Sequence, residues 1–170
     1  MTDNIHIREI RQNEIVALED LLYEAIYQPD KQNPIPRSVL QIPEIAAYIN
    51  DFGSKKDDHC FVADYNGKII GAVWVRILNG EIKGYGNVDD ETPEFSISLF
   101  KEYRNQGIGT AMMKKMIDYL NKKGYSQASL SVQKGNYASK LYKKLGFEVI
   151  KDENEDYLMV LKLSKLSKNL

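Results

Sequence analysis

Hydrophobic residues in this 170-residue chain follow two spacings, one typical of helices and one typical of strands. Helical spacing is found in residues 13–27, 43–52, 107–122 and 137–145. Runs typical of strands cover residues 5–10, 59–65, 68–78, 94–100, 128–132, 147–151 and 157–163. Strands interleaved with helices in this order predict a mixed sheet that is covered by helices on both faces.

Several boundaries between these segments carry local signals. Asn13 is of a type suited to capping the first helix, and Gly124 is suited to ending the third. The pair Asn66-Gly67 strongly favours a tight hairpin turn. The second and third strand-like runs are therefore predicted to be antiparallel neighbours.

Two long segments lack regular spacing. Residues 28–43 contain four prolines and predict an irregular connection. Residues 79–92 contain three glycines and the acidic run 89–91, and their length predicts a loop that helps to form a site. The acidic run is interpreted either as part of a solvated loop or as a charge that attracts a cationic amine.

Residues 103–110 join a strand-like run to a helix and contain Gly107 and Gly109. Free N–H groups at a helix start carry the positive end of the helix dipole, so glycines that expose the backbone there favour an anion such as a diphosphate. A P-loop would require a lysine after its last glycine, and none follows here. A dinucleotide fingerprint would require glycine where Met112 stands. Both of those phosphate-binding motifs fit poorly.

The remaining pattern, Arg-x-x-Gly-x-Gly from Arg104 to Gly109, resembles the acyl-CoA-binding signature of the GNAT superfamily of N-acetyltransferases. Residues 136–147 resemble the second motif of that family. The positions in register with it are Ala138, Leu141, Tyr142, Gly146 and Phe147. One departure concerns Asn136, which stands one residue closer to the alanine than is usual in the family.

This resemblance implies an α/β (α+β) fold with a mixed, mostly antiparallel central sheet flanked by helices on both faces. It implies one N-acetyltransferase domain over residues 1–170, within which residues 164–170 are expected to form a flexible tail. Support from motifs is concentrated in residues 94–147, and the N-terminal half matches only in the order of its elements.

The first motif binds the coenzyme in this family, which implies that backbone N–H groups hold the pyrophosphate of acetyl-CoA. The residues implied are Gln106, Gly107, Gly109 and Thr110. Arg104 would add charge at the rim, and main-chain groups near Leu99 would pair with the pantetheine arm. Asn136 is assigned either to hydrogen bonding with that arm or to capping the helix that follows.

The resemblance also implies a general acid, Tyr142, and a general base, Glu94. A phenol with a pKa of about 10 stays protonated at neutral pH and can give its proton to a departing thiolate. An alkylammonium with a pKa of about 10.4 must first lose a proton, which Glu94 can take directly or through water. The alternatives are a packed core aromatic at Tyr142 and a solvated edge residue at Glu94. Cys60 is remote in sequence from both motifs, so direct transfer is preferred to an acyl-cysteine intermediate.

The expected function is acetyl-CoA-dependent N-acetylation of a primary amine that belongs to a small molecule or to a protein. The alternative is a catalytically idle coenzyme A-binding sensor or partner module. Three aromatic residues, Tyr27, Trp74 and Tyr85, either line the acceptor pocket or belong to the core. Homodimers are frequent in the family, so a homodimer is a further expectation from the resemblance.

Composition narrows the classes of partner. A formal net charge of -1 argues against a protein built chiefly to hold nucleic acid. Cys60, His6 and His59 are too few for a structural zinc site, and no metal is expected. The N-terminus has no apolar signal core and no run has the length of a membrane span, so a cytoplasmic protein without a membrane partner is expected.

Overall fold

The computed structural model describes residues 3–164. Within them, seven strands form one sheet: β1 Ile5–Glu9, β2 His59–Tyr65, β3 Lys68–Arg76, β4 Glu94–Leu99, β5 Gln127–Gln133, β6 Glu148–Asp152 and β7 Asp156–Lys162. The α-helices of the same residues are α1 Leu18–Ala25, α2 Pro43–Ala46, α3 Ile108–Lys123 and α4 Ala138–Lys144. Each strand and each of the last two helices lies within a few residues of its predicted place.

The strand order in the sheet is β1-β2-β3-β4-β5-β7-β6. Neighbouring strands are antiparallel except β4 and β5, which are parallel. Among the described residues, β4 and β5 share a single register pair, Glu94 with Ser129. The predicted mixed, mostly antiparallel sheet is confirmed, and β4 and β5 have no further register pair in the part of the chain that the structure describes.

Two layers of apolar side chains cover the sheet. On one face, α3 and α4 pack through residues such as Met112, Met116 and Tyr142 onto the sheet. On the other face, α1 packs through Leu18 and its neighbours against the alternate side chains of β2 and β3. Helices therefore flank the sheet on both faces, as the sequence predicts.

The tight turns have the backbone conformations that the sequence predicts. Asn66 and Gly67 connect β2 to β3 with φ values of 51° and 87°, the left-handed pair that a two-residue hairpin requires. Gly124 ends α3 with φ 87°, and its N–H binds the Asn121 carbonyl.

The start of the first helix differs from the prediction. Residues Gln12–Ala17 form a 3-10 helix, and Asn13 lies inside it rather than at its N-cap. Glu14 takes the capping role, because its carboxylate accepts a hydrogen bond of 2.8 Å from the Arg11 N–H and also binds Arg8. The regular helix is then limited to Leu18–Ala25 and stops short of residue 27.

The second predicted helix is also shorter than expected. Regular helix covers only Pro43–Ala46, and turns continue to Phe52. Residues 28–42 are irregular apart from the 3-10 helix Arg37–Gln41. None of the helices among residues 3–164 has the length and hydrophobicity needed to cross a bilayer. The predicted tail lies outside the described residues except for Ser164, whose N–H binds Asn121 Oδ1 at 2.7 Å.

Candidate functional site

The loop between β4 and α3 presents free backbone donors. Asn105 and Gly107 both adopt left-handed conformations, with φ values of 62° and 83°. The first helical hydrogen bond of α3 runs from the Ala111 N–H to the Gly107 carbonyl. The N–H groups of the three preceding residues thus precede the hydrogen-bond ladder and have no acceptor within the helix. They lie at the positive end of a 16-residue helix, where the sequence predicts the anion seat, and binding of an anion there stays a prediction.

Gly107 and Gly109 of this loop are explained by different structural requirements. Gly107 has a positive φ that other residue types rarely adopt, so the turn itself accounts for it. Gly109 lies in the first turn of α3 with no positive φ, and a Cβ added there would meet no atom within 4 Å. Glycine in a helix is about 1 kcal/mol less favourable than alanine. Neither backbone conformation nor packing within the chain explains Gly109, whereas a ligand that approaches the backbone closely would.

Leu99, Arg104 and Gln106, which are also predicted for the coenzyme site, lie just before this helix start in the chain. Arg104 Nε donates to the Leu99 carbonyl at 2.8 Å, and Arg104 Nη2 lies 3.6 Å from a Glu24 carboxylate oxygen. The Leu99 carbonyl is thus already engaged, and the charge of Arg104 is partly balanced. Gln106 Nε2 binds the Glu102 carbonyl at 3.3 Å. A pocket of about 280 Å³ lies beside the seat and is lined by Ile5, Ile7, Gln106, Gly107, Ile108 and Ala111.

Glu94 is buried at the start of β4, with 4% of its surface exposed. Its Oε2 accepts hydrogen bonds from the Tyr48 hydroxyl and, at 3.0 Å, from the Gly86 N–H. Its Oε1 is buried and has no hydrogen-bond partner among the described residues. Burial disfavours the charged form and raises the pKa of Glu94 to about 7, although both hydrogen bonds oppose the rise. The interpretation of Glu94 as a solvated edge residue is wrong, because β4 lies in the middle of the sheet.

Tyr142 is buried on α4 and packs against Phe147 with a ring-centroid distance of 6.1 Å. Burial raises the pKa of its phenol to about 12, so the hydroxyl is protonated at neutral pH. Phe147 in turn contacts Phe95, the neighbour of Glu94, at 5.7 Å. Consecutive strand residues face opposite sides of a sheet, so Phe95 and Tyr142 lie on the face covered by α3 and α4, whereas the Glu94 carboxyl lies with Tyr48 on the other face. No hydrogen bond joins Glu94 and Tyr142 within residues 3–164.

Asn136 closes the turn before α4. Its Oδ1 accepts a hydrogen bond of 2.9 Å from the Ala138 N–H, and its own N–H binds the Gln133 carbonyl. Asn136 thus binds the N–H of the first residue of α4, although the N-cap position itself is held by Tyr137. A contact between Asn136 and the coenzyme stays a prediction.

The candidate acceptor residues separate into core and surface. Trp74 is fully buried, and its Nε1 donates to the Tyr48 carbonyl at 3.1 Å, so it belongs to the core. Tyr85 is 56% exposed and stacks on Tyr48. Tyr27 reaches towards Gly135, where an added Cβ would come within 2.9 Å of the Tyr27 hydroxyl. The acidic run is largely used in the loop itself, since Asp89 accepts from the Glu91 N–H and the Thr92 hydroxyl.

Tyr48 is the site residue that the sequence does not reveal. It lies on the turns that follow α2, 46 positions before Glu94. The helical spacing of residues 43–52 does not distinguish Tyr48 from the other aromatic residues of the chain. The described residues hold no group of three or more His, Cys, Asp and Glu side chains that could bind a metal.

Known proteins resemble this chain in sequence and in fold. Alanine N-acetyltransferase of ribosomal protein bS18 from Escherichia coli K12 is 39% identical over 59 residues, which are 34% of this chain and 40% of that enzyme. An N-alpha-acetyltransferase from Sulfurisphaera tokodaii is 33% identical over 117 residues, 61% of this chain and 68% of that protein. The PaiA N-acetyltransferase of Thermoplasma acidophilum, solved in complex with coenzyme A, superposes with a TM-score of 0.69 at 20% identity, covering 93% of this chain and 98% of that one.

The matches to the first of these relatives are partial, since the aligned segment spans less than half of the E. coli enzyme. The family model covers more of the chain. The model of the acetyltransferase (GNAT) family matches residues 21–147, which contain the glycine loop, Glu94 and Tyr142. The fold agrees with this match, since β4 and β5 share a single register pair among the described residues and the N–H groups at the start of α3 are free of helical partners. The chain therefore belongs to the GNAT family of acetyltransferases.

Proposed function

We propose that this protein transfers an acetyl group from acetyl-CoA directly to a primary amine. Membership of the GNAT family supports the reaction class. The loop before α3 supports binding of a diphosphate-bearing coenzyme, and the two ionisable residues near β4 and α4 have the protonation states that the reaction needs.

The observation that carries the proposal is the open space around Gly109 at the start of α3. The position of this glycine exposes the N–H groups at the start of α3, and nothing in the chain fills the space that a side chain would take. The pyrophosphate of acetyl-CoA fits this seat because it is an anion that gains from several backbone donors at once. Beyond Glu94, β4 has no register pair with β5 among the described residues, which leaves main-chain groups of β4 for the pantetheine arm, as the resemblance implies, apart from the Leu99 carbonyl that Arg104 binds.

Glu94 has the properties of the base. Acetyl-CoA would supply a thioester carbon that an amine attacks, with a C–N bond forming and the C–S bond breaking. The attacking nitrogen must lose a proton, and a carboxylate with a pKa of about 7 can accept one at neutral pH. Its Oε1 accepts no hydrogen bond from the described residues, so the lone pairs of that oxygen are not already engaged and can accept the proton.

Tyr142 has the properties of the acid. Its phenol holds its proton at neutral pH because burial raises its pKa to about 12. Its pKa is shifted by burial alone, with no hydrogen-bond partner of the hydroxyl among residues 3–164, so the proton is not already bound by an acceptor there. Tyr142 would give this proton to the departing sulfur, which removes the need for a free thiolate. Cys60 is not needed, since it is buried and burial raises the pKa of its thiol.

The acceptor is a primary amine of a small molecule or of a protein. Among the relatives, the E. coli enzyme acts on an alanine of a ribosomal protein and the S. tokodaii protein is an N-alpha-acetyltransferase, so protein N-termini belong among the acceptors to be tested. Exposed Tyr85, next to Glu94 in space through Tyr48, is a candidate contact for the acceptor.

Coenzyme binding is tested by calorimetry with Gly109→Ala. The added methyl group would enter the anion seat and disturb backbone hydrogen bonds to a charged ligand, each worth about 1.5 to 3 kcal/mol. We therefore expect affinity for acetyl-CoA to fall by about 10- to 100-fold. Gly80→Ala is the matched control, because Gly80 also has open space around it and no positive φ. Equal affinity in wild type and Gly109→Ala would reject the seat.

The reaction is tested by acetyl-CoA-dependent thiol release across polyamines, amino acids, aminoglycosides and short peptides. We expect one class of amine to stimulate release. Tyr142→Phe should bind the coenzyme normally but turn over about 100-fold or more slowly, since general acid catalysis is lost. Tight coenzyme binding without release for any amine would favour the idle sensor instead.

A further inference from the structure

The Tyr48 hydroxyl lies at a junction between the proposed base and the loop that covers it. It donates to Glu94 Oε2 and accepts a hydrogen bond of 2.8 Å from the Tyr85 N–H. A second donor, the Gly86 N–H, also binds Oε2, at 3.0 Å. All hydrogen bonds to the carboxyl group thus converge on one oxygen, and Oε1 is left without a partner among the described residues.

The backbone that carries Tyr48 is fixed to the sheet. Trp74 Nε1 donates to the Tyr48 carbonyl at 3.1 Å. Arg76 Nη1 donates to the carbonyls of Ala47 and Asn50, both at 2.8 Å. Both donor side chains are almost fully buried, with 0% and 2% exposure. The turns after α2 are therefore anchored on each side of Tyr48, which gives its side chain a defined place.

We propose that Tyr48 is a positioning residue for Glu94, and that its hydroxyl holds Oε2 so that Oε1 is the oxygen that receives the acceptor's proton. The proposal rests on the proposed function of Glu94 as the base. A carboxylate with two donors on one oxygen cannot rotate freely, so its basic lone pairs keep one direction. Tyr48 itself stays protonated, because burial and the neighbouring Glu94 raise its pKa.

The same hydroxyl also holds the turn that encloses Oε1. A Cβ added to Gly84 would lie 2.0 Å from Glu94 Oε1, and one added to Gly86 would lie 3.0 Å from the Glu94 carboxyl carbon. The turn from Gly84 to Gly86 therefore packs directly on the carboxyl group.

The charged groups around Glu94 leave Tyr48 as its main polar side-chain partner. Arg76 is the cross-strand neighbour of Glu94 on β3, but its guanidinium group is bound to Asp58 at 2.9 Å. On β5, Ser129 Oγ donates to the Gly86 carbonyl at 2.6 Å rather than to Glu94. No ion pair involves Glu94 within residues 3–164. The two hydrogen bonds to Oε2 are thus what opposes the effect of burial on its pKa.

The test is a titration of the Glu94 carboxyl carbon by ¹³C NMR in wild type and Tyr48→Phe, with the signal assigned by its absence in Glu94→Gln. Removing a hydrogen bond to a charged group should raise the Glu94 pKa by about one to two pH units. The acid limb of the kcat/KM profile should move by the same amount, and activity should recover at high pH. Tyr125→Phe is the control, because Tyr125 also donates to a carboxylate, that of Asp57, outside this site.

A folded Tyr48→Phe protein with an unchanged Glu94 pKa would overturn the proposal, as would a raised pKa without movement of the acid limb. Should Tyr48→Phe fail to fold, incorporation of 3-fluorotyrosine replaces it, since a more acidic phenol is a stronger donor and should lower the Glu94 pKa. The titration needs no acceptor. Absence of acetyl transfer in the wild type would therefore reject the proposed function, whereas the titration tests the role of Tyr48 separately.

Discussion

Burial of Glu94 should make the stability of the protein depend on pH. The pKa of Glu94 is raised from 4.5 to about 7 in the folded chain, so the folded state binds the proton more tightly than the unfolded state. Stability from this group is fully present below about pH 4.5. It is lost as pH rises towards 7, because the folded state must then either keep an uncharged carboxyl or bury a charge.

The size of the effect follows from the two pKa values. A separation of about 2.5 pH units at 1.36 kcal/mol per unit corresponds to about 3 kcal/mol. Glu94→Gln cannot titrate. Its amide oxygen can accept from Tyr48 and Gly86, while its amide nitrogen takes the place of the unpartnered Oε1 at a cost that does not vary with pH. The free energy of unfolding of Glu94→Gln, minus that of wild type, should therefore increase by about 2 to 3 kcal/mol from pH 5 to pH 8.

The assay is urea unfolding of both proteins at a series of pH values, with Glu81→Gln as the control for loss of an exposed glutamate. The quantity to follow is the difference in free energy of unfolding between variant and wild type, because the contributions of all other titrating groups cancel in it. A constant difference between pH 5 and pH 8 would refute the claim that Glu94 is desolvated in the folded protein. It would also remove the physical basis for Glu94 as a base near neutrality.

Two further predictions concern groups that support the site. Asp58→Ala should lower the free energy of unfolding by about 3 to 5 kcal/mol in urea titrations, because Arg76 would keep a buried charge without its partner; a loss below 1 kcal/mol would contradict this. Asn136→Ala should cost about 1 kcal/mol in thermal unfolding through loss of the hydrogen bond to the Ala138 N–H. Asn136→Asp keeps the acceptor and should melt like wild type, and equal melting of all three proteins would show that the cap is unimportant.

Much of the fold could be predicted from local patterns. The hairpin at Asn66-Gly67 and the end of α3 at Gly124 depend on backbone conformations that few residue types adopt, so their positions are visible in the sequence. Buried strands have continuous apolar runs, so the sequence predicts β2, β3 and β4 to within a few residues. The glycine loop before α3 belongs to the same class of local signal.

The errors arise where contacts between residues distant in sequence determine the local structure or the burial of a side chain. The first helix begins as a 3-10 helix because Glu14 binds Arg8 on β1 and the Arg11 N–H, and Asn13 is left without a capping role. Glu94 looks like an exposed strand end in sequence, yet β3 and β5 lie on both sides of it. Its contact with Tyr48 joins residues 46 positions apart, and no periodicity reports such a contact.

The most direct test of the account is to follow the acetyl group itself. The protein would be incubated with acetyl-CoA that carries a ¹³C-labelled acetyl group and with candidate amines, including peptides with free N-termini, and the products analysed by mass spectrometry. The account predicts label on the amine nitrogen of one acceptor class, with wild type fast and Tyr142→Phe slow. Tight binding of acetyl-CoA with no labelled amine in any class would contradict it.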